Sequence, residues 1–194
     1  MRRICVYTGS NVGVRPEYQQ AAQALGKALV ARGLGLVYGG GRVGLMGVIA
    51  DTVLAEGGEV IGVIPKALFP REVGHTHLTQ LHEVESMHER KALMADLADG
   101  FIALPGGFGT YDELFETITW SQLGLHSKPV GLLDVAGFFA PLLALITHTT
   151  NEGFITPIHS NLLFHKDDPA ELLDCFATYQ PPPLRGKWTD QPSR

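Results

Sequence analysis

Residues 3–38 read RICVYTGSNVGVRPEYQQAAQALGKALVARGLGLVY, and this stretch decides the fold. Arg3–Thr8 and Leu34–Tyr38 are short apolar runs of strand type. Between them, Pro16–Ala31 places Ala21, Ala24, Leu25, Ala28 and Leu29 at helical spacing. Strand, helix, strand in about 35 residues is a βαβ unit, and two strands so joined lie parallel. The same rhythm continues outward. A helix is expected over Leu45–Glu56, a strand over Val60–Ile64 closed by Pro65, a helix over Met87–Ala98, a strand over Phe101–Leu104 and a helix over Tyr111–Leu123. Val130–Asp134, a helix over Phe138–Asn151, a short strand near Leu162–Phe164 and a helix over Pro169–Tyr179 complete the series, with residues 66–86 left irregular. The strands ICVY, VIGVI and FIAL are apolar throughout, as strands buried on both faces must be. The reading is an α/β fold: a Rossmann-like, doubly wound, mainly parallel sheet with helices on both faces. One domain is expected over residues 1–180. Three consecutive prolines begin at Pro181, so the tail 181–194 is expected to be extended or disordered.

Composition narrows the function. A formal net charge of −5 argues against a nucleic-acid partner, which calls for a basic excess. The apolar run at the start is too short for a signal peptide, and the apolar stretch near Phe138–Ile146 contains Pro141 and is too short for a membrane span. Cys5 and Cys175 make no metal-type spacing, and Cys5 sits in an apolar run, so a reducing, cytoplasmic setting is expected. The eight histidines show no ligand spacing either, and His75-Thr76-His77 reads as a solvated polar loop.

Gly39-Gly40-Gly41-Arg42-Val43-Gly44 satisfies the dinucleotide pattern GxGxxG in letters only. That fingerprint belongs to the first strand–helix turn and needs an acid at the end of the following strand. Here the turn follows the second strand, and Glu59 begins the next strand rather than ending it. No GxxxxGK[ST] loop is present. A second loop, Leu104-Pro105-Gly106-Gly107-Phe108-Gly109-Thr110, leaves a strand and enters a helix. Glycines there admit a tight turn, and equally admit an anion close to backbone N–H groups at a helix N-terminus. Thr110-Tyr111-Asp112-Glu113 has the form of a capping box, as does Ser86-Met87-His88-Glu89, so Glu113 carries a structural reading beside a functional one. Arg90 shares a helical stripe with Met87 and Met94, where a long cation commonly snorkels; Leu93 and Leu97 are expected to build the adjacent buried face.

Two of these segments, Met87-His88-Glu89-Arg90-Lys91 and Pro105-Gly106-Gly107-Phe108-Gly109-Thr110-Tyr111-Asp112-Glu113, resemble the paired motifs MHxRK and PGGxGTxxE of the Lonely Guy (LOG) family. The likeness extends to GGGRVGLMG at residues 39–47 and IPKALFPRE at residues 64–72. Members are cytokinin riboside 5′-monophosphate phosphoribohydrolases. The resemblance implies hydrolysis of an adenine-type nucleoside 5′-monophosphate to free base and ribose 5-phosphate, without metal or organic cofactor, by a homodimer. It implies that Arg90 and Glu113 are the catalytic pair. It further implies that Gly107, Gly109 and Thr110 hold the 5′-phosphate, that Gly106 and Phe108 also bind substrate, and that Glu72 and Lys91 line the nucleotide site. Dimerisation also has a basis in the residues: the Phe138–Ile146 helix is apolar on more faces than one sheet can cover. Two other readings compete. A silent nucleotide binder would keep the site without turnover. A pyridoxal-phosphate lysine decarboxylase, a label often attached to such sequences, would need Lys91 as its Schiff-base lysine.

Overall fold

The computed structural model describes residues 1–68, 74–75 and 77–182. Its centre is a sheet of seven strands: β1 (Arg3–Tyr7), β2 (Gly35–Tyr38), β3 (Val60–Pro65), β4 (Gln80–Val84), β5 (Gly100–Ala103), β6 (Val130–Leu133) and β7 (Leu163–Lys166). The order across the sheet is β4-β3-β2-β1-β5-β6-β7, and every pairing is parallel. The doubly wound Rossmann-like sheet read from the sequence is the one observed.

Alternation along each strand feeds two cores. Ile4 and Val6 of β1 face one side, with Leu36 and Tyr38 of β2. Helices α1 (Pro16–Ala31), α2 (Gly44–Ala55) and α7 (Pro169–Ala177) cover that side with Leu25, Leu29, Ile49, Val53, Leu172 and Phe176. Cys5 and Tyr7 face the other side, where α3 (Met87–Leu97) and α4 (Phe108–Gln122) contribute Met94 and Leu114. Cys5 is fully buried, as its apolar context implied. Burying a side chain such as Ile4 on one side of the sheet or Met94 on the other contributes about 1.5–3 kcal/mol each, so both faces are expensive to expose.

Four expectations need correction. The stretch read as irregular contains β4, whose Gln80-Leu81-His82-Glu83-Val84 lies at the sheet edge; it escaped notice because an edge strand covered on one side need not be apolar. Helix α4 starts at Phe108, not Tyr111, with Gly107 as its cap residue. Thr110 is therefore already inside the helix, and the Thr110–Glu113 capping box does not form. His75 is not solvated but buried, at 3% exposure. The buried face of α3 is Arg90, Met94 and Ala95, while Leu93 and Leu97 pack only partly. The remaining helices are α5 (Ala140–Asn151), entered through a short 3₁₀ turn at Val135–Gly137, and the single-turn α6 (Pro157–Ser160). No residue of α5 is buried. Of the proline-rich tail, residues 183–194 lie outside the described residues.

The chain winds outward from β1 to β4, then returns to lay β5 on the free side of β1. Loops leaving β1 and β5 therefore diverge at their carboxyl ends and open a crevice, where parallel sheets of this kind bind ligands.

Candidate active site

Three strand ends meet at that crevice. After β1 come Thr8, Gly9 and Ser10; after β2 comes Gly39; after β5 come Pro105, Gly106 and Gly107, leading into α4. The loops are stitched together: the Gly9 amide donates to the Pro105 carbonyl at 3.1 Å, the Thr8 hydroxyl to the same carbonyl at 3.3 Å, and the Leu45 amide to the Gly9 carbonyl at 3.0 Å. A cleft opens between them, and Arg90, Gly107, Phe108, Gly109, Thr110 and Glu113 all line it.

The N-terminus of α4 forms one wall. Among the described residues no side chain caps it, so its first amides face the cleft without an internal partner. The macrodipole adds partial positive charge at the same place. Thr110, 3% exposed, stands against Gly106 so closely that a Cβ on residue 106 would sit 2.1 Å from the Thr110 hydroxyl. Glycine is required at 106 by this approach. Gly106 itself lines an adjoining cavity on the other side of the loop, with Tyr18 and Phe138.

Arg90 projects from α3 and does not snorkel; it is 5% exposed. Its Nε donates to the Val63 carbonyl of β3 at 3.2 Å, and its Nη2 donates to the Gly39 carbonyl at 2.8 Å. One carbonyl within β3 and one just past the end of β2 thus fix the plane of the guanidinium. A Cβ on residue 39 would lie 2.0 Å from Nη2, so the first glycine of the GGG run makes room for this cation. The run that matched a dinucleotide pattern in letters is the seat of an arginine. Glu59 lies at the amino ends of the strands, paired with Arg3 at 2.7 Å, on the opposite side of the sheet's length from the cleft.

Glu113 is half-buried and faces the cleft from within α4. The buried Cys5 and Tyr7 of β1 lie within its electrostatic reach. Burial pushes both of these well above their ordinary pKa, and the Glu113 carboxylate pushes in the same direction. Arg90 acts oppositely on Cys5, so both members of the implied pair are felt at this buried thiol.

Lys91, although next to Arg90 in sequence, is turned elsewhere. Its ammonium meets Asp112 and Glu116 on α4, each at 3.0 Å, and it is not among the residues lining the cleft. Burial depresses its pKa, but the two carboxylates outweigh this and leave it raised. Such an amine ties α3 to α4 and is a poor Schiff-base nucleophile. Glu72 lies outside the described residues. Thr8, Ser10, Gly39 and Met46 also line the cleft, although the sequence reading singled out none of them as site residues. For Thr8, Ser10 and Gly39 the signal was their position just after β1 and β2; Met46 lies in the first turn of α2 and gave none. Among the described residues no cluster of three or more His, Cys, Asp or Glu is arranged to hold a metal ion.

Comparison with known proteins agrees with the motifs. Residues 46–176 match a family described as "Possible lysine decarboxylase". The cytokinin riboside 5′-monophosphate phosphoribohydrolase LOG of Oryza sativa subsp. japonica is 51% identical over 98% of this chain and 79% of its own length. The corresponding Arabidopsis thaliana enzyme, LOG7, is 49% identical over 93% and 83%. The chain belongs to the LOG family. Among solved structures, the molybdenum cofactor binding protein of Rippkaea orientalis superposes with a TM-score of 0.69 at 20% identity, covering 91% of this chain and 96% of that one. At that identity the likeness speaks for the fold alone. Both motif segments fall inside the matched span, and the cleft bounded by Arg90, Thr110 and Glu113 brings them together in this LOG protein.

Proposed function

We propose that this LOG protein hydrolyses the N-glycosidic bond of adenine-type nucleoside 5′-monophosphates, cytokinin riboside 5′-monophosphates and AMP among them, giving free base and ribose 5-phosphate. The observation that carries the reading is an uncapped helix N-terminus, a buried arginine and a carboxylate on one cleft, at the switch point of a parallel sheet. The 5′-phosphate takes the amides of Gly107, Phe108 and Gly109 and the Thr110 hydroxyl as donors. Its binding energy fixes the sugar over Glu113. As the bond to the base breaks, positive charge develops on the ribose ring, and the Glu113 carboxylate stabilises that charge and orients the attacking water. Water supplies hydroxide to the anomeric carbon and a proton to the departing base. Arg90, held rigidly by Val63 and Gly39, supplies a fixed positive charge facing the phosphate and the departing base.

The working protein is a cytoplasmic homodimer in this reading. Support comes from α5, which has no buried residue while Leu145 is 55% exposed, and from exposed Phe115, Leu123 and Leu125 on and after α4. Such an apolar surface is what a partner subunit covers. The net charge of −5 fits a small-molecule substrate rather than nucleic acid, and no described helix is long and apolar enough to cross a membrane. Chromatographic measurement of adenine released from AMP, beside N6-isopentenyladenine released from its nucleotide, tests the reaction. Release of neither base refutes it.

A further inference from the structure

His75 was unremarkable in sequence, yet its imidazole is one of the few buried polar side chains outside the cleft. It follows β3 in the connection to β4, and three bonds hold it. Its backbone amide donates to the Gly40 carbonyl at 3.1 Å, beside an antiparallel bridge between Gly74 and Gly41. Its Nδ1 accepts from the His77 amide at 3.3 Å. Its Nε2 meets the Asp51 carboxylate of α2 at 2.9 Å. The tautomer follows: an amide only donates, so Nδ1 carries no proton, and Nε2–H donates to Asp51. One neutral imidazole therefore joins α2, the glycine run after β2 and the connection after β3.

The consequence lies one residue away. Gly40, which accepts from His75, is bonded directly to Gly39, whose carbonyl accepts from Arg90. That run contains three glycines and has no side chains of its own to hold it in place. We propose that the Asp51–His75 pair is a positioning device for Arg90, fixing the glycine run whose Gly39 carbonyl sets the guanidinium plane. Neither residue lines the cleft, so both act through Arg90 and not on substrate. The inference rests on the hydrolase reading, in which the orientation of Arg90 matters to turnover.

The test is a set of variants assayed for base release from AMP. Asp51→Ala removes the acceptor from the exposed side of the pair, where little packing is lost, so it carries the test even if His75→Ala does not fold. It should lower kcat about ten-fold with KM changed less than about three-fold, since a displacement of a catalytic group by a fraction of an ångström has effects of this order. Asp51→Asn keeps an acceptor oxygen and should restore most of the loss, because the imidazole is neutral and needs an acceptor rather than a charge. In an Arg90→Ala background, Asp51→Ala should cost nothing further, because the residue it acts through is gone. Wild-type kcat in Asp51→Ala, or a melting temperature that falls while kcat per folded molecule holds, overturns the proposal. So does a further ten-fold loss on top of Arg90→Ala. A wild-type protein that releases no base refutes the hydrolase reading itself, and with it this inference; an active wild type beside an indifferent Asp51→Ala refutes only the positioning role.

Discussion

Helices α3 and α4 both begin, in sequence, with a hydroxyl residue followed three places later by glutamate, and they end up opposite in kind. At α3 the box closes. Ser86 Oγ accepts from the Glu89 amide at 3.1 Å, and the Glu89 carboxylate reaches back to the Glu85 amide at 2.9 Å. At α4 the helix begins two residues before the hydroxyl, the cap residue Gly107 supplies no side chain, and Glu113 lies in the second turn, facing the cleft. A capped N-terminus has its donors satisfied and is finished as structure. An uncapped one, held open by glycines, keeps its donors for a ligand. The same four-residue pattern is thus a structural device in one helix and part of a binding site in the other, and the difference is set by where the helix starts.

The largest effect should come from Glu113→Gln. Because Glu113 is not in the first turn, the change disturbs no cap and costs the helix only tenths of a kcal/mol. Turnover of AMP should nevertheless fall by roughly a hundred-fold or more, about 2.7 kcal/mol of lost transition-state stabilisation, at an unchanged melting temperature. Steady-state kinetics with a thermal melt checks both halves. Wild-type turnover in a folded protein would make the two glutamates alike and end the comparison.

The open donors of α4 make a second demand. A substrate without the 5′-phosphate forfeits them, so adenosine should be cleaved with kcat/KM lower than that of AMP by about a hundred-fold or more. Comparable values for the two would remove the reason for leaving the helix uncapped.

A third change sharpens the contrast from the other wall of the cleft. Gly39→Ala puts a methyl group where Arg90 Nη2 now sits, 2.0 Å away. The guanidinium must leave the Gly39 carbonyl, at a stability loss of about 1–3 kcal/mol for the misfit, and turnover should drop by roughly ten-fold or more. Arg90→Lys should lose activity comparably with a smaller effect on stability, since one ammonium cannot serve both carbonyls in the same plane. If Gly39→Ala keeps full activity, the glycine run is only a turn.

What could be read in advance, and what could not, divides along the same physical line. The parallel sheet was legible because its central strands are buried on both faces and read as unbroken apolar runs. The motif residues were legible as letters, and the structure sets Arg90, Thr110 and Glu113 around one cleft. The edge strand β4 was not legible, because its polar composition matches a loop as well as a strand. His75 looked solvated because its neighbours in sequence are polar; its burial depends on Asp51, 24 residues away. The burial of Arg90 depends likewise on a carbonyl of β3 and on one in the turn after β2, the latter 51 residues distant. Local pattern decides which element forms, whereas the partners that bury a polar group are set by topology.

The smallest effect should come from the closed helix, and it should be the mirror of the first. Ser86→Ala removes the hydroxyl that accepts from the Glu89 amide and leaves that donor to water. Loss of such a cap costs about 0.5–2 kcal/mol, with exposed sites toward the lower end, and this one is exposed. For a chain of this length that lowers the melting temperature by roughly 2–4 °C per kcal/mol. Because α3 is anchored downstream by buried Met94 and Ala95, and by Arg90 on Val63 and Gly39, fraying at Ser86 should not reach the guanidinium. The kcat for AMP should therefore stay within about two-fold of wild type at a temperature where both proteins are folded. A variant that melts normally but loses activity ten-fold would mean that the start of α3 belongs to the site as much as the start of α4 does.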